Sequence, residues 1–200
     1  MGKTKDNFEI RRQVFHLLFG AVIVMLLKYM LIDEKIILLL IVIGFVVSYI
    51  SKTRKIPIIY HFLKRFERNE EIKIFPGKGV ITYLIGILIV LVIPFSREIA
   101  LASILVLAFG DSVSHLFGLH YGKTKTLLSD KKFLEGSLAG FVAAFIGAKL
   151  FLLWHEAFFA SLIAMVFETT GIRFGSTHVD DILFMPFIAA MTVWVIRYFF

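Results

Sequence analysis

A single carboxylate, the glycine before it and a cluster of lysines form the most distinctive polar group in this 200-residue sequence. Asp111 and Gly110 end an apolar run, residues 99–109, so we expect Asp111 to lie at membrane depth. A lone carboxylate at that depth must pair with a cation or a metal ion. Four lysines follow within a short segment: Lys123, Lys125, Lys131 and Lys132. A carboxylate that holds a metal ion and lysines that offset phosphate charge predict a site for a Mg²⁺–triphosphate.

Glycines and one further acid continue this group along the chain. Glu135 opens the next apolar segment, and Ser137 lies beside it. Gly118-x3-Gly122-Lys123-Thr124 is one residue short of a Walker loop and follows no strand, so we reject that interpretation. Gly136-x3-Gly140 is also a helix-packing motif, which accounts for Gly140 but not for the acids.

Arg12, His16 and Gly20 form a second candidate group. Their spacing by four places them on one face of a helix, where the glycine allows a ligand or another backbone to approach closely. An ordinary basic membrane anchor with one interfacial histidine is the alternative interpretation.

A third group is Pro76-Gly77-Lys78-Gly79, which leads into an apolar segment. Free backbone N–H groups and the helix dipole at such a start favour phosphate. A flexible loop end explains the same residues.

The fourth group contains Glu168 and the pair Asp180-Asp181. Paired carboxylates at a helix N-terminus are favoured by the dipole, and they could equally hold a metal ion. With the other groups, these acids and lysines predict a site for a charged cytosolic substrate beside a lipid.

The composition identifies the elements that must position these residues. Hydrophobic residues make up 58% of the chain and charged residues 18%, which excludes a soluble globular domain and disorder. The absence of cysteine excludes disulfides and thiol catalysis. We predict an all-α, polytopic membrane helix bundle, formed by residues 1–200 as one domain. About seven spans are expected: Val14–Leu31, Lys35–Ile50, Val80–Phe95, Glu98–Leu119, Leu134–Trp154, Glu156–Ile172 and Ile182–Phe200.

The distribution of basic residues predicts the orientation of these spans. With a cytosolic N-terminus, the inside segments hold 17 of the 22 Lys and Arg residues. This explains the net charge of +7 without a nucleic-acid partner. The longest inside loop, residues 51–79, contains a segment typical of a helix lying on the inner leaflet. We therefore expect an integral membrane protein with its site on the cytosolic face, in a prokaryotic plasma membrane because the chain is so short.

The candidate groups together resemble the CTP-dependent lipid-alcohol kinases, a family that includes dolichol kinase, phytol kinase and the yeast-type diacylglycerol kinase. The matching elements run in the family's order along almost the whole chain: Glu9-x-Arg11-Arg12-x3-His16-x3-Gly20, Gly110-Asp111, Gly118-x3-Gly122-Lys123, Lys132-x2-Glu135-Gly136-Ser137-x2-Gly140, and Asp180-Asp181 with Pro186.

The resemblance implies transfer of the γ-phosphate of CTP to a membrane lipid alcohol of the polyprenol, dolichol, phytol or diacylglycerol type, with Mg²⁺ as cofactor. It implies four catalytic residues: Asp111, Glu135, His16 and Asp181. It implies four metal ligands: Asp111, Glu135, Asp180 and Asp181. The implied nucleotide- and phosphate-binding residues are Arg12, Lys78, Gly110, Gly118, Gly122, Lys123, Lys132, Gly136 and Ser137.

Two alternatives remain open at the level of sequence. A cytidylyltransferase would use the same metal ion and nucleotide but join cytidylate to a lipid phosphate. A transporter without chemistry would also accommodate an intramembrane acid such as Glu168. Against transport, the polar groups cluster on one side of the membrane, and no inverted repeat is apparent.

Overall fold

The structure is a computed structural model that describes residues 2–53, 57–126, 129–170, 173–174, 177–178 and 181–199. The predicted all-α class is confirmed, with two short hairpins added to it. The elements follow in chain order: α1 (Gly2–Lys28), α2 (Glu34–Thr53), α3 (Pro57–Phe66), α4 (Asn69–Ile74), α5 (Lys78–Val92), α6 (Arg97–Tyr121), β1 (Lys125–Thr126), β2 (Ser129–Phe133), α7 (Leu134–Ala148), α8 (Trp154–Thr170), β3 (Arg173–Phe174), β4 (Thr177–His178) and α9 (Asp181–Phe199).

Helix α6 is the centre of the bundle, because its small and branched residues are buried from Ile99 to Ala108. It packs against α1, α5, α7, α8 and α9. Helix α1 runs antiparallel to it. Glu9 near the start of α1 contacts His115 near the end of α6, and the backbone carbonyl of Leu27 accepts a hydrogen bond from Arg97. This pairing brings the face of α1 that carries His16, in the second candidate group, beside Asp111.

The prediction of about seven membrane spans is not confirmed. Among the described residues, four helices are long and apolar enough to cross a membrane: Asn7–Lys28, Glu34–Thr53, Arg97–Tyr121 and Ile182–Phe199. Helices α5 and α7 have 15 residues each and α8 has 17. At 1.5 Å per residue, a helix of 15 residues extends about 22 Å, which is less than the hydrocarbon core of about 30 Å.

The ends of the short helices differ from the predicted ends for local reasons. Helix α5 ends at Val92, ahead of Pro94, which lacks the N–H that would continue the helix. Helix α7 ends at Ala148 and a turn precedes α8, where the sequence predicts one span to Trp154.

The two hairpins were not predicted. In the first, β1 and β2 pair antiparallel, with Lys125 opposite Phe133. It connects α6 to α7 and positions Lys132, one of the predicted lysines. In the second, Arg173 of β3 pairs with His178 of β4 between α8 and α9.

Candidate active site

Asp111 lies on α6, half-buried, and makes no hydrogen bond or ion pair within the part of the chain that the structure describes. Its charge interacts electrostatically with the His16 ring on α1 and the Tyr83 hydroxyl on α5. The packing of α1 on α6 therefore brings together Asp111 and His16, which the sequence places in two separate candidate groups.

Two guanidinium groups and one histidine ring surround the Glu9 carboxylate. Glu9 is 7% exposed, and its oxygens lie 3.0 Å from guanidinium nitrogens of Arg12 and Arg68. His115 Nε2 lies 3.4 Å from the same carboxylate. Arg12, a predicted phosphate ligand, is thus held in place near the start of α1. Arg68 and His115 were not among the predicted site residues.

Lys132 is held by Glu168 in a similar way. The Lys132 Nζ lies 2.7 Å from Glu168 Oε1 and also donates to the Glu168 backbone carbonyl. Ser114 Oγ lies 3.4 Å from the same carboxylate oxygen. A cavity of about 120 Å³ adjoins this cluster. Three residues predicted to bind nucleotide or phosphate line that cavity: Gly118, Lys132 and Ser137.

Glu135, which the sequence predicts as a metal ligand, contacts the loop between α6 and β1. Its carboxylate accepts hydrogen bonds from the backbone N–H groups of Lys123 and Thr124, at 3.2 and 3.1 Å. It therefore fixes the loop that carries Lys123. Within the described ranges, no three His, Asp or Glu side chains converge as a ready-made metal site.

The predicted glycines lie where α6 and α7 approach each other. A methyl group on Gly136 would lie 2.5 Å from the Ser114 carbonyl oxygen, and one on Gly140 would lie 2.7 Å from the Gly110 carbonyl oxygen. These two contacts are helix packing. Gly122 ends α6 against the Phe133 ring.

The Gly77–Gly79 segment was predicted to bind phosphate through its backbone, but Glu67 takes that place. The Glu67 carboxylate accepts hydrogen bonds from Gly77 N at 2.7 Å and Gly79 N at 3.3 Å. Burial raises the pKa of the Glu67 carboxyl above its ordinary value, and these N–H donors partly offset the increase. Lys78 is the first residue of α5, beside this capped turn.

The side chains of the predicted acid pair, Asp180-Asp181, are outside the part of the chain that the structure describes. Asp180 is outside the described residues. Asp181 is the first residue of α9, and its side chain is outside the described residues as well.

Tyr83 is a site residue that sequence reasoning missed. Its ring is 2% exposed and lies 5.5 Å from the His16 ring, centroid to centroid. Its hydroxyl has no hydrogen-bond partner among the described residues. The only sequence signal was a tyrosine inside the apolar run of α5, which an aromatic core residue would also produce.

The fold and these polar clusters define a helical membrane protein with a charged site at one end of its bundle. The chain is 33% identical over 188 residues to "Uncharacterized protein MJ1137" of Methanocaldococcus jannaschii, and the match covers 92% of each chain. The chain therefore belongs to the family of that archaeal protein.

Two shorter matches connect the chain to named enzymes. It is 42% identical over 64 residues to CTP-dependent diacylglycerol kinase 1 of Schizosaccharomyces pombe, covering 32% of this chain and 29% of the kinase. It is 36% identical over 73 residues to CTP-dependent diacylglycerol kinase 1 of Eremothecium gossypii, covering 36% of this chain and 23% of the kinase. The chain thus spans less than a third of the length of either kinase. No family model and no solved structure matches the chain.

Proposed function

We propose that this protein is a CTP-dependent lipid kinase that transfers the γ-phosphate of CTP to the hydroxyl of a membrane lipid alcohol. The observation that carries the proposal is the local identity of up to 42% to two CTP-dependent diacylglycerol kinases. The geometry supports it, because Asp111, which has no bonded partner among the described residues, lies at the same end of an apolar bundle as Arg12 and Lys132, each held by an acid.

The reaction makes one O–P bond and breaks another. The lipid hydroxyl oxygen attacks the γ-phosphorus, the bond from that phosphorus to the β–γ bridging oxygen breaks, and CDP leaves. The hydroxyl proton is released, and the product is a lipid monophosphate. Such a transfer needs positioning and charge stabilisation more than covalent chemistry by the protein.

The roles of the chain's own residues follow from their positions. Asp111 orients the hydroxyl or takes up its proton, with His16 beside it. Arg12 and Lys132 are already held by Glu9 and Glu168, so they would meet phosphate with little loss of side-chain entropy. Lys78 and Lys123 would act on phosphates from the capped starts of their segments.

Mg²⁺ fits the residues present. This ion is usually bound through one or two carboxylates together with substrate phosphates, so a ready-made cage of three acids is not needed. Asp111 would hold it, because its carboxylate has no hydrogen bond or ion pair among the described residues. Asp180, Asp181 or Glu135 would supply a second carboxylate. When bound, the ion would neutralise charge that develops on the phosphate oxygens.

The proposed location follows from charge and hydropathy. Four described helices are long and apolar enough to span a membrane, and most basic residues lie in the segments predicted to be cytosolic. We place the site on the cytosolic face, where CTP is available, in a prokaryotic plasma membrane.

Two labels distinguish the kinase from its alternatives. Purified protein is incubated with Mg²⁺, a panel of lipid alcohols and CTP labelled at either the γ- or the α-phosphorus. The panel includes a polyprenol, dolichol, phytol and a diacylglycerol, and the monophosphate of each is offered in parallel. Transfer of γ-label alone to a lipid alcohol is expected.

Other outcomes would overturn this proposal. Transfer of α-label to a lipid phosphate would identify a cytidylyltransferase instead. No transfer of either label to any lipid would contradict both enzymatic functions and favour transport.

A further inference from the structure

The site contains more unpartnered polar atoms than the proposed roles use. Four side chains on α1, α5 and α6 have a buried polar atom without a hydrogen-bond partner among the described residues: Gln13, His16, Tyr83 and Ser112. Each side chain is at most 6% exposed. Buried polar groups in proteins are nearly always hydrogen-bonded, and leaving one unpaired is unfavourable. Four such groups in adjacent segments therefore indicate a polar partner that binds between these helices.

His16 and Tyr83 belong to these four side chains, and both lie close enough to Asp111 to interact with its charge. Their rings lie 5.5 Å apart. Gly20 makes room for the tyrosine, because a methyl group there would lie 2.0 Å from the Tyr83 hydroxyl oxygen. The hydroxyl is thus directed into the interface between α1 and α6, where Ala108 lies.

A crevice leads to His16. It opens between α1, α3 and the start of α5, and its volume is about 20 Å³. Phe15, Phe62 and Phe66 form an aromatic wall. The polar side consists of Arg12, His16, Glu67 and Glu71. The volume suits one group the size of a water molecule but excludes a nucleotide.

We propose that this crevice and the His16–Tyr83 pair bind the hydroxyl end of the lipid alcohol, with Tyr83 hydrogen-bonded to the hydroxyl oxygen. This inference rests on the proposed function, since it assigns the binding site of its acceptor substrate. The crevice receives the hydroxyl end alone, and the adjoining hydrocarbon lies outside it along Phe62, which is 43% exposed. Tyr83 meets the hydroxyl from beside His16. The nucleotide then occupies the separate cavity beside Lys132, so that the two substrates meet at Asp111.

The test removes the Tyr83 hydroxyl from the protein and, separately, the free hydroxyl from the lipid. Tyr83→Phe keeps the ring and its packing, and it should fold because the lost hydroxyl has no partner among the described side chains. Tyr121→Phe is the matched control, since Tyr121 is 64% exposed at the end of α6. The probes are 1,2-dioctanoylglycerol and geranylgeraniol in mixed micelles. Trioctanoylglycerol and geranylgeranyl acetate have the same chains without a free hydroxyl.

Thermal stabilisation without nucleotide is the first readout. We expect at least one alcohol, but not its acylated analogue, to raise the melting temperature of the wild type and of Tyr121→Phe. Tyr83→Phe should lose that increase. Equal stabilisation of Tyr83→Phe, or no difference between alcohol and analogue in the wild type, would overturn the hydroxyl site.

The kinetic readout separates this inference from the proposed function. In the CTP transfer assay, Tyr83→Phe should lower kcat/KM for the lipid roughly tenfold and leave KM for CTP unchanged. An unchanged kcat/KM in an active enzyme would overturn the role of Tyr83 and leave the kinase intact. Hydroxyl-dependent stabilisation without any transfer would leave the binding site intact and contradict the kinase.

Discussion

The two ends of the helix bundle contain carboxylates that differ in their bonding. At the start of α8, Glu156 is 3% exposed and both of its oxygens are bonded. Oε1 accepts a hydrogen bond from Arg197 Nε at 2.6 Å. Oε2 accepts a second bond from Arg197, and it also accepts from the Leu153 N–H, which lies at 3.0 Å. Asp111 lies about 20 Å along α6 from the Ser96–Glu98 segment that adjoins Arg197. Its carboxylate has no bonded partner among the described residues.

The difference separates groups that stabilise the fold from groups kept for a ligand. A carboxylate whose oxygens are all bonded contributes to stability but has no capacity left for a substrate. Unpartnered polar groups cost stability, and such sites persist where function requires them. Under the proposed function, the end with Asp111, His16 and Tyr83 is the reactive end, and the Glu156–Arg197 end stabilises the fold.

The largest expected effect is on activity at the reactive end. Asp111→Asn should lower CTP-dependent transfer at least about a hundredfold, because the carboxylate acts on the hydroxyl or the metal ion. The melting temperature should change little, since no bonded partner among the described residues is lost. Asp33→Asn, an exposed acid at the opposite end, is the control and should keep full activity. Loss of activity in both variants would show that the comparison between the ends is wrong.

Glu156→Ala should produce the converse result. Breaking a buried ion pair leaves a charge without its partner. Because Arg197 is 35% exposed, water partly solvates its charge, and we expect a loss of stability at the lower end of the usual range, about 3 kcal/mol. Unfolding in SDS would measure this loss, while the specific activity of the folded protein should stay near that of the wild type.

Glu98→Ala is the matched control for Glu156→Ala in the same ion-pair cluster. Glu98 is 64% exposed and lies 3.7 Å from Arg197, so its loss should cost less than about 1 kcal/mol. Equal losses of stability from the two variants would remove the contrast between a buried and an exposed partner.

Substitutions of two glycines distinguish a role in helix packing from a role in nucleotide binding within this end of the bundle. Gly136→Ala should separate α6 from α7 and cost about 1–3 kcal/mol, because its methyl group would meet the Ser114 carbonyl. Gly118→Ala should be neutral or stabilising, because its methyl group would lie 3.6 Å from the Phe133 ring. Gly118 also lines the cavity beside Lys132, so KM for CTP should rise roughly tenfold in this variant. An unchanged KM would restrict Gly118 to helix packing.

The smallest expected effect is the pH dependence caused by Glu67. Because burial raises its pKa, the folded state binds more protons than the unfolded state near and above the ordinary value of 4.5. The stability that protonated Glu67 provides is fully present below that pH and is lost as the pH rises through the raised pKa. Glu67→Gln cannot ionise, so its melting temperature relative to the wild type should rise over the same range. A constant difference between the two proteins would contradict this assignment.

The helices could be predicted from the sequence because long apolar runs have few alternatives in a membrane. Their lengths could not, since Pro94 and the turn after Ala148 end two helices short of a full span. The hairpins were missed because segments such as Lys125–Thr126 and Ser129–Phe133 lack the composition of strands.

The site was predictable where local spacing determines it. Arg12 and His16 share a helix face, and packing of α1 on α6 brings that face to Asp111. Pairs that are distant along the chain were not predictable, including Arg68 with Glu9, which are 59 residues apart. Glu67 was missed for the same reason, and its carboxylate takes the N–H groups that seemed available at Gly77 and Gly79.

The most direct test of the central claim is the mass of the lipid that the protein produces. Purified protein is incubated with unlabelled CTP, Mg²⁺ and the preferred lipid alcohol, and the lipid fraction is analysed by mass spectrometry. The account predicts a lipid heavier by one phosphate group, with CDP formed in equal amount and neither product formed by Asp111→Asn. A lipid heavier by cytidine monophosphate, or a lipid of unchanged mass, would contradict it.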